Sequence, residues 1–517
     1  MIKASALRIS TLKGCLVAML TLCCAASAQQ NTGSRYPGAA VQDTQVPATQ
    51  LPTYKSQAEL VTVPVVVLRE GKNVSGLSQD AFRVEENGKE QTISLFEEVQ
   101  PPAGVSKAAP ADRGFSNLPF DNASQLRLTI IVLDLLNTSV LQRTDGRDQI
   151  AKFLSKGLIP IQPVSLLCLT SRGLKLVHPF STDANALIEA LNKISLGPAT
   201  IMDRRNVVVH TIDQMREIGQ AYHGIPGRKT MIFAVGNIPE LAPEHEIIDN
   251  NGYTLELRDM WQSLIDANIA VYPIQLMSWS RDPTLHGLAS RSNDMLLRNV
   301  AEFTGGNPCV EVNNLLSCMA HAVEDSQTYY LLGFSVQPND RKPGWRDLKV
   351  KVSEPHVDVR ARDGFYYGIA PARSADSTRK EEVNALGSAL ARSAVPMYVK
   401  VLGPAPSTTP VSPGEKKTIE FLVTIPLSSV KIDVAQPHPL DLEVGAIALT
   451  RDMREEAEFL HPVSGNPREE NLQLWKQDGI KLREKLELRP GSFDVRFLVR
   501  DNNAAQIGTV VFPLDVH

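Results

Sequence analysis

The side chains best placed to do chemistry in this chain follow one apolar run. Leu128–Leu133 reads Leu-Thr-Ile-Ile-Val-Leu, and Asp134, Asn137, Thr138 and Ser139 come directly after it. Oxygen-bearing groups at the C-terminal end of a buried strand sit where open α/β sheets bind ligands. A carboxylate with hydroxyls a few residues on can offer oxygen ligands to a hard cation. The same residues can instead cap the next helix and satisfy loop backbone. On these residues alone both readings stay open.

Other constellations carry less. Gly227-Arg228-Lys229-Thr230 has the residue types of a phosphate loop, but Arg228 separates the glycine from the lysine and the segment precedes its strand. His178, His210 and His223 show no metal-ligand spacing. Glu244-His245-Glu246 reads as a polar loop, and Arg451–Glu458 as a solvated, mixed-charge face. Tyr329-Tyr330 and Phe365-Tyr366-Tyr367 read as paired strand aromatics. The chain holds neither a His-Glu-x-x-His zinc motif nor a Gly-x-Ser-x-Gly nucleophile elbow, so a catalytic role is not expected.

The N-terminus has the anatomy of a cleaved secretory signal. Lys3, Arg8 and Lys13 form its basic region, Cys15–Ala26 its apolar region, and Ala26-Ser27-Ala28 a small-residue cleavage site. Leu22 before Cys23 is too large for a typical lipoprotein site. No later stretch is long and apolar enough to span a membrane, so a secreted or periplasmic protein is expected. The whole chain carries a net charge of -4, and loss of the basic signal makes it more acidic. Nucleic acid is therefore not an expected partner. Of six cysteines, Cys15, Cys23 and Cys24 leave with the signal. Cys168 in Val-Ser-Leu-Leu-Cys-Leu-Thr reads as a buried small hydrophobe. Cys309 and Cys318 are close enough in sequence to bridge in an oxidising compartment, subject to a Cα separation that sequence does not give.

Stepping outward from Asp134, the elements follow. With 517 residues and 43% hydrophobic content, the chain can build several cores. Residues 1–28 are the signal and 29–56 a Gln-, Thr- and Pro-rich flexible leader. Residues 57–100 form a small β module, with Asn87-Gly88 as a hairpin turn between Phe82-Arg83-Val84 and Ile93-Ser94-Leu95. Residues 101–125 are a Pro-rich linker. Residues 126–326 alternate strand and helix. Strands are expected at 128–133, 164–170, 229–235 and 269–274. Helices are expected at 147–156, after a Thr182 cap, and at 203–220, 255–267, 293–303 and 314–324. That alternation implies α/β architecture, a doubly wound parallel sheet. Residues 327–368 turn to period two, an antiparallel extension. Residues 369–394 are a linker with a short helix, and 395–517 a β-sandwich.

Several stretches together resemble the bacterial von Willebrand factor A-related proteins of acidobacterial type. They are Asp134-Leu-Leu-Asn137-Thr138, Pro226-Gly227-Arg228-Lys229, Ala267–Ile274, Ala301–Gly306, Tyr329–Phe334 and Arg360–Tyr366, with Gly76–Phe82 similar to the family's N-terminal β segment. The resemblance covers about Leu60–Tyr367. It implies a von Willebrand A-like, Rossmann-like sheet with a metal-ion-dependent adhesion site at its top, holding Mg²⁺. In that pattern Asp134 matches the first aspartate, Thr138 the second hydroxyl and Thr200 the loop threonine. Leu136 stands where the first hydroxyl belongs, and Val235 where the third-loop aspartate belongs, so the site is degenerate. Asn137 is a nearby group able to compensate.

The expectation is an exported, non-enzymatic binding protein that meets a protein or cell-envelope partner. The alternatives are an envelope scaffold or assembly factor with nothing bound at the sheet top, and a hydrolase with an unrecognised site.

Overall fold

The computed structural model describes residues 59–100, 114–119, 127–156, 162–197, 202–236, 254–276, 283–309, 315–336, 344–367, 375–404 and 415–517. The signal, the leader, Thr200 and Glu244–Glu246 fall outside the described residues.

The first strands are β1 (Glu59–Arg69), β2 (Lys72–Asn73), β3 (Phe82–Glu86), β4 (Lys89–Gln91), β5 (Ile93–Val99) and β6 (Phe115–Ser116). The α/β stretch runs β7 (Leu128–Asp134), α1 (Val140–Ser155), β8 (Val164–Thr170), β9 (Gly173–Ser181), α2 (Ala184–Asn192), α3 (Arg204–Tyr222), β10 (Lys229–Val235), α4 (Thr254–Asp266), β11 (Ile269–Gln275), α5 (Pro283–Thr304) and α6 (Leu315–Asp325). Four strands follow: β12 (Tyr329–Val336), β13 (Gly344–Val352), β14 (Asp358–Arg360) and β15 (Gly364–Tyr367). The C-terminal part holds α7 (Ala375–Gly387), β16 (Tyr398–Pro404), β17 (Lys417–Ile425), β18 (Leu440–Thr450), β19 (Glu455–Gly465), α8 (Glu469–Asp478), β20 (Ile480–Leu488), β21 (Gly491–Asp501) and β22 (Gln506–Val516).

β7 is the middle strand of a five-stranded sheet ordered β11-β10-β7-β8-β9. All seven of its residues are buried, which explains why its sequence is continuously apolar rather than alternating. Its side chains still alternate in destination. Leu128, Ile130 and Val132 enter the core that contains Ile212, Met215, Met260 and Phe303, while Ile131 and Leu133 enter the one that contains Phe153, Leu187 and Met319. β7 pairs in parallel with β8 and β10, and β10 with β11.

The expected fold class requires correction. A doubly wound parallel sheet does not organise this chain. Among the described residues strand outweighs helix, 44% against 29%, and four of the five sheets are antiparallel. The fifth is mixed, because β9 runs antiparallel to β8. The cause is local. Thr170 Oγ1 donates to the Gly173 carbonyl at 2.7 Å and accepts the Arg172 N–H at 3.1 Å, closing a tight turn. With no crossover helix between them, the second strand must return antiparallel. The helix after β9 is capped by Asp183, which accepts from the Asn185 and Ala186 amides, and not by Thr182.

The stretches 57–100 and 327–368 are interleaved rather than separate. β1 pairs with β12 and β14, β5 with β12, and β3 with β13. Asn87 and Gly88, both at positive φ, turn β3 into the short β4, while β5 leaves for another sheet. Val63, Val65, Tyr330 and Leu332 share one core with α3 and α4. In the C-terminal part, residues of sheets β20-β17-β16-β6 and β19-β18-β21-β22 share a single apolar core. One strand comes from the expected linker, since β6 pairs with β16. Helix α8 is an addition to the sequence reading. Its faces carry no buried residue, so no apolar stripe announces it.

The two halves dock through backbone. Ser393, fully buried, donates its N–H and its Oγ–H to the Ala221 carbonyl at the end of α3, and its Oγ accepts the Gly224 N–H at 3.1 Å. Asn117 bridges the Arg392 and Val395 carbonyls and the Met397 amide.

Candidate functional site

The Asp134 turn is built from the strand end outward. Asp134 is fully buried. Its Oδ1 accepts the Leu136 N–H at 2.7 Å and the Asn137 N–H at 2.9 Å, and its Oδ2 accepts from Asn137 Nδ2 at 2.6 Å. Asn137 Nδ2 also reaches Thr211 Oγ1 on α3 at 3.0 Å. Burial pushes the Asp134 carboxyl up to about 6, against the pull of Asn137, of the Leu136 amide and of the Arg143 charge. Charge burial opposes folding, and the aliphatic residues of β7 offset it, each contributing about 1.5–3 kcal/mol on burial.

Thr138 looks elsewhere. It is buried, and its Oγ1 accepts the Gly236 N–H at 2.9 Å, tying the β7 turn to the end of β10. A Cβ on Gly236 would lie 2.8 Å from Gln142 Oε1 and 3.1 Å from the Asn137 carbonyl, so a side chain there would displace the Gln142 amide. The helix cap is the next residue. Ser139 forms a capping box with Gln142, so α1 starts at Val140, a full two turns before the expected Arg147. Gln142 Oε1 accepts from the Ser139 amide and hydroxyl, while Nε2 donates to the Leu276 carbonyl beyond β11.

Arg143 completes the closure. Its guanidinium is buried and donates to three carbonyls: Thr138 at 2.9 Å, Gly197 at 2.8 Å and Leu135 at 2.5 Å. One side chain thus joins the β7 turn to the loop after α2. Beside this closed turn, Val140 and Leu141 stand 46% and 67% exposed.

These residues do not fit Mg²⁺. A hard cation of that kind wants about six oxygens with lone pairs free to point at it. Asp134 Oδ1 already accepts two amides, which fills both its lone pairs, while Oδ2 and Thr138 Oγ1 each accept one N–H and keep one lone pair, too few for that shell. Leu136 packs half-buried on the main core and Val235 is fully buried within it, so neither position offers oxygen. Asn137 presents Nδ2, a donor, to Asp134. The positive charge acting on Asp134 is already supplied by Arg143. The helix-cap reading is revised: Ser139 caps, Asp134 and Thr138 organise the turn, and the Arg143 guanidinium holds the loops.

The remaining candidates fall into place by element. Cys309 and Cys318 form a disulfide with a Cα separation of 5.7 Å, joining the loop after α5 to α6. Cys168 is buried in β8, and burial pushes its thiol up to about 12. His178 lies on β9 against the Pro179 carbonyl, and His223 follows α3 against Gln506. Among the described residues no three His, Cys, Asp or Glu side chains cluster at ligand distance. Sequence reasoning named Ser139 without its capping role and missed Gln142 and Arg143. The Ser-x-x-Gln spacing is a capping-box signature and could have found the first two; Arg143 carries no such mark.

No family model matches the chain and no curated protein matches it. Among solved structures, it is similar to an aerotolerance-related membrane protein from Bacteroides fragilis NCTC 9343 at 14% identity, over 38% of this chain and 98% of that one, with a TM-score of 0.25. It is also similar to proximal thread matrix protein 1 from the mussel byssus, in two structures at 10% and 9% identity, each at a TM-score of 0.25. Those matches take 39% and 40% of this chain and 48% of the mussel protein. Likeness at that score carries no argument about function.

Proposed function

We propose that this chain is an exported, non-catalytic binding protein of the von Willebrand factor A-related kind. Its β7 turn meets a protein partner without a divalent ion. The observation that carries the reading is the closed turn itself. Asp134, Thr138 and Arg143 spend their polar groups on neighbouring backbone, and Val140 and Leu141 are left as the exposed surface beside them. Contact there is apolar and shape-driven. At the turn the Ser139 hydroxyl bonds Gln142, and on β8 the Cys168 thiol is buried and held protonated. Export rests on the signal-like N-terminus.

Pull-down from cell-envelope extract with the mature chain tests this. The partner is expected to be retained in EDTA and lost with Leu141→Glu. Loss in EDTA, or full retention by Leu141→Glu, refutes the reading. An assembly-scaffold role is the second reading, favoured by the tight backbone docking of the two halves through Ser393. In that case Leu141→Glu retains its partners, and a disrupted Ser393 contact loses them.

A further inference from the structure

The opposite end of the β7–β10–β11 strands gathers cations. Arg228, directly before β10, is 3% exposed. Its backbone N–H donates to the Tyr329 hydroxyl at 3.2 Å, and its Nη2 to the Tyr272 hydroxyl at 3.1 Å and the Gly305 carbonyl at 2.5 Å. Arg362, between β14 and β15, donates Nη1 to the Ile265 carbonyl at 3.3 Å and Nη2 to the Thr62 carbonyl at 3.0 Å. In each guanidinium the Nε–H is buried and has no partner. Both line one small cavity of about 10 Å³, together with Pro64, Asn268 and Thr304. The Gly305 turn brings them together. Its carbonyl receives Arg228, and a Cβ there would stand 2.8 Å from the Arg362 amide nitrogen.

Guanidinium groups outnumber carboxylates around this cavity. Lys229 is buried among the Ile225, Gly227 and Ala267 carbonyls, and Arg127 adds two unpartnered, buried N–H groups nearby on the Tyr329 side. On the acidic side Asp266 acts on Arg362, while Asp325, the ion-pair partner of Arg360, acts on Arg228 as well. The Thr304 hydroxyl is already spent on Val271 N–H and on the helix carbonyls behind it. A guanidinium does not shed its proton, and buried charge is stable only when it is paired. The cavity admits one water-sized particle, which excludes phosphate and peptide carboxylates.

We propose that this cavity binds a single halide-sized inorganic anion, chloride in solution, between the Nε–H groups of Arg228 and Arg362. Two measurements on the full chain test it. The first is bromide soaking of crystals, read by anomalous scattering. A peak within hydrogen-bond reach of both Nε atoms is expected, and a water there with no anomalous signal overturns the proposal. The second compares melting in chloride and in gluconate at equal ionic strength. Chloride is expected to raise the melting temperature saturably by several degrees, and Arg362→Gln to abolish that difference. Equal melting of the native chain in both salts, or a chloride effect that survives Arg362→Gln, overturns it. If Arg362→Gln does not fold, the bromide measurement on the native chain decides.

Discussion

Asp134→Asn separates a closed turn from a metal site by the sign of a pH dependence. Burial holds the carboxyl at about 6 in the folded protein against its ordinary 3.8. A raised carboxyl binds its proton more tightly folded than unfolded, so stability is greatest below the unfolded value and declines as pH rises through the folded one. The shift is worth about 3 kcal/mol at 1.36 kcal/mol for each unit, lost between about pH 4 and about pH 6. Asparagine keeps an oxygen for the Leu136 and Asn137 amides, and the Asn137 amide can turn to accept from the new Nδ2. The variant therefore loses the charge and keeps most of the turn. Urea unfolding of both proteins across pH 4–7, read as the difference between them, isolates Asp134 from every other titrating group. We expect the native chain to lose about 3 kcal/mol relative to Asp134→Asn as pH rises over that window. A carboxylate serving a cation has a depressed value and gives the opposite slope. A flat or inverted difference refutes the closed-turn account.

Other expectations follow from the same geometry. Arg143→Met leaves three carbonyls without a donor, at about 1–3 kcal/mol for each buried group left unsatisfied. Amide exchange should rise at both Asn137 and Gly197, and exchange unchanged in one of the two loops contradicts the bridging role. Gly224→Ala places a Cβ 1.7 Å from the Ser393 carbonyl and should open the contact between the halves, read as new proteolytic cleavage near 388–396; an unchanged digest argues against a tight contact. Cys309→Ser removes a crosslink across nine residues, worth about 2–3 kcal/mol in chain entropy, so reductant should lower the melting temperature of the native chain and leave the variant unmoved.

Legibility in the sequence tracked burial. β7, β8, β10 and β11 are continuous apolar runs because both faces are covered, and nothing competes with that signal. β9 was missed because Gly173–Ser181 mixes Lys175, His178 and Pro179 among its apolar residues, as an edge strand can, and that one strand makes the sheet mixed. The interleaving of β1, β3 and β5 with β12–β15 was illegible for another reason. Val65 pairs with Tyr330 and Val84 with Val350, and period-two patterning names a strand without naming its partner. At the site, residue types suggested ligands for Asp134 and Thr138. The deciding facts were which amides their oxygens already held, and a guanidinium one helical turn further on.

The β7 turn is held by its own amides and by Arg143, and we propose that it needs no divalent cation. Melting of the mature chain, stripped with EDTA and then titrated with Mg²⁺, tests it most directly. A cation bound to the folded state stabilises it by about 2.7 kcal/mol at a hundredfold excess over its Kd. We expect coincident melting curves in EDTA and at every Mg²⁺ concentration. A saturable rise in melting temperature that Asp134→Asn abolishes would contradict the account.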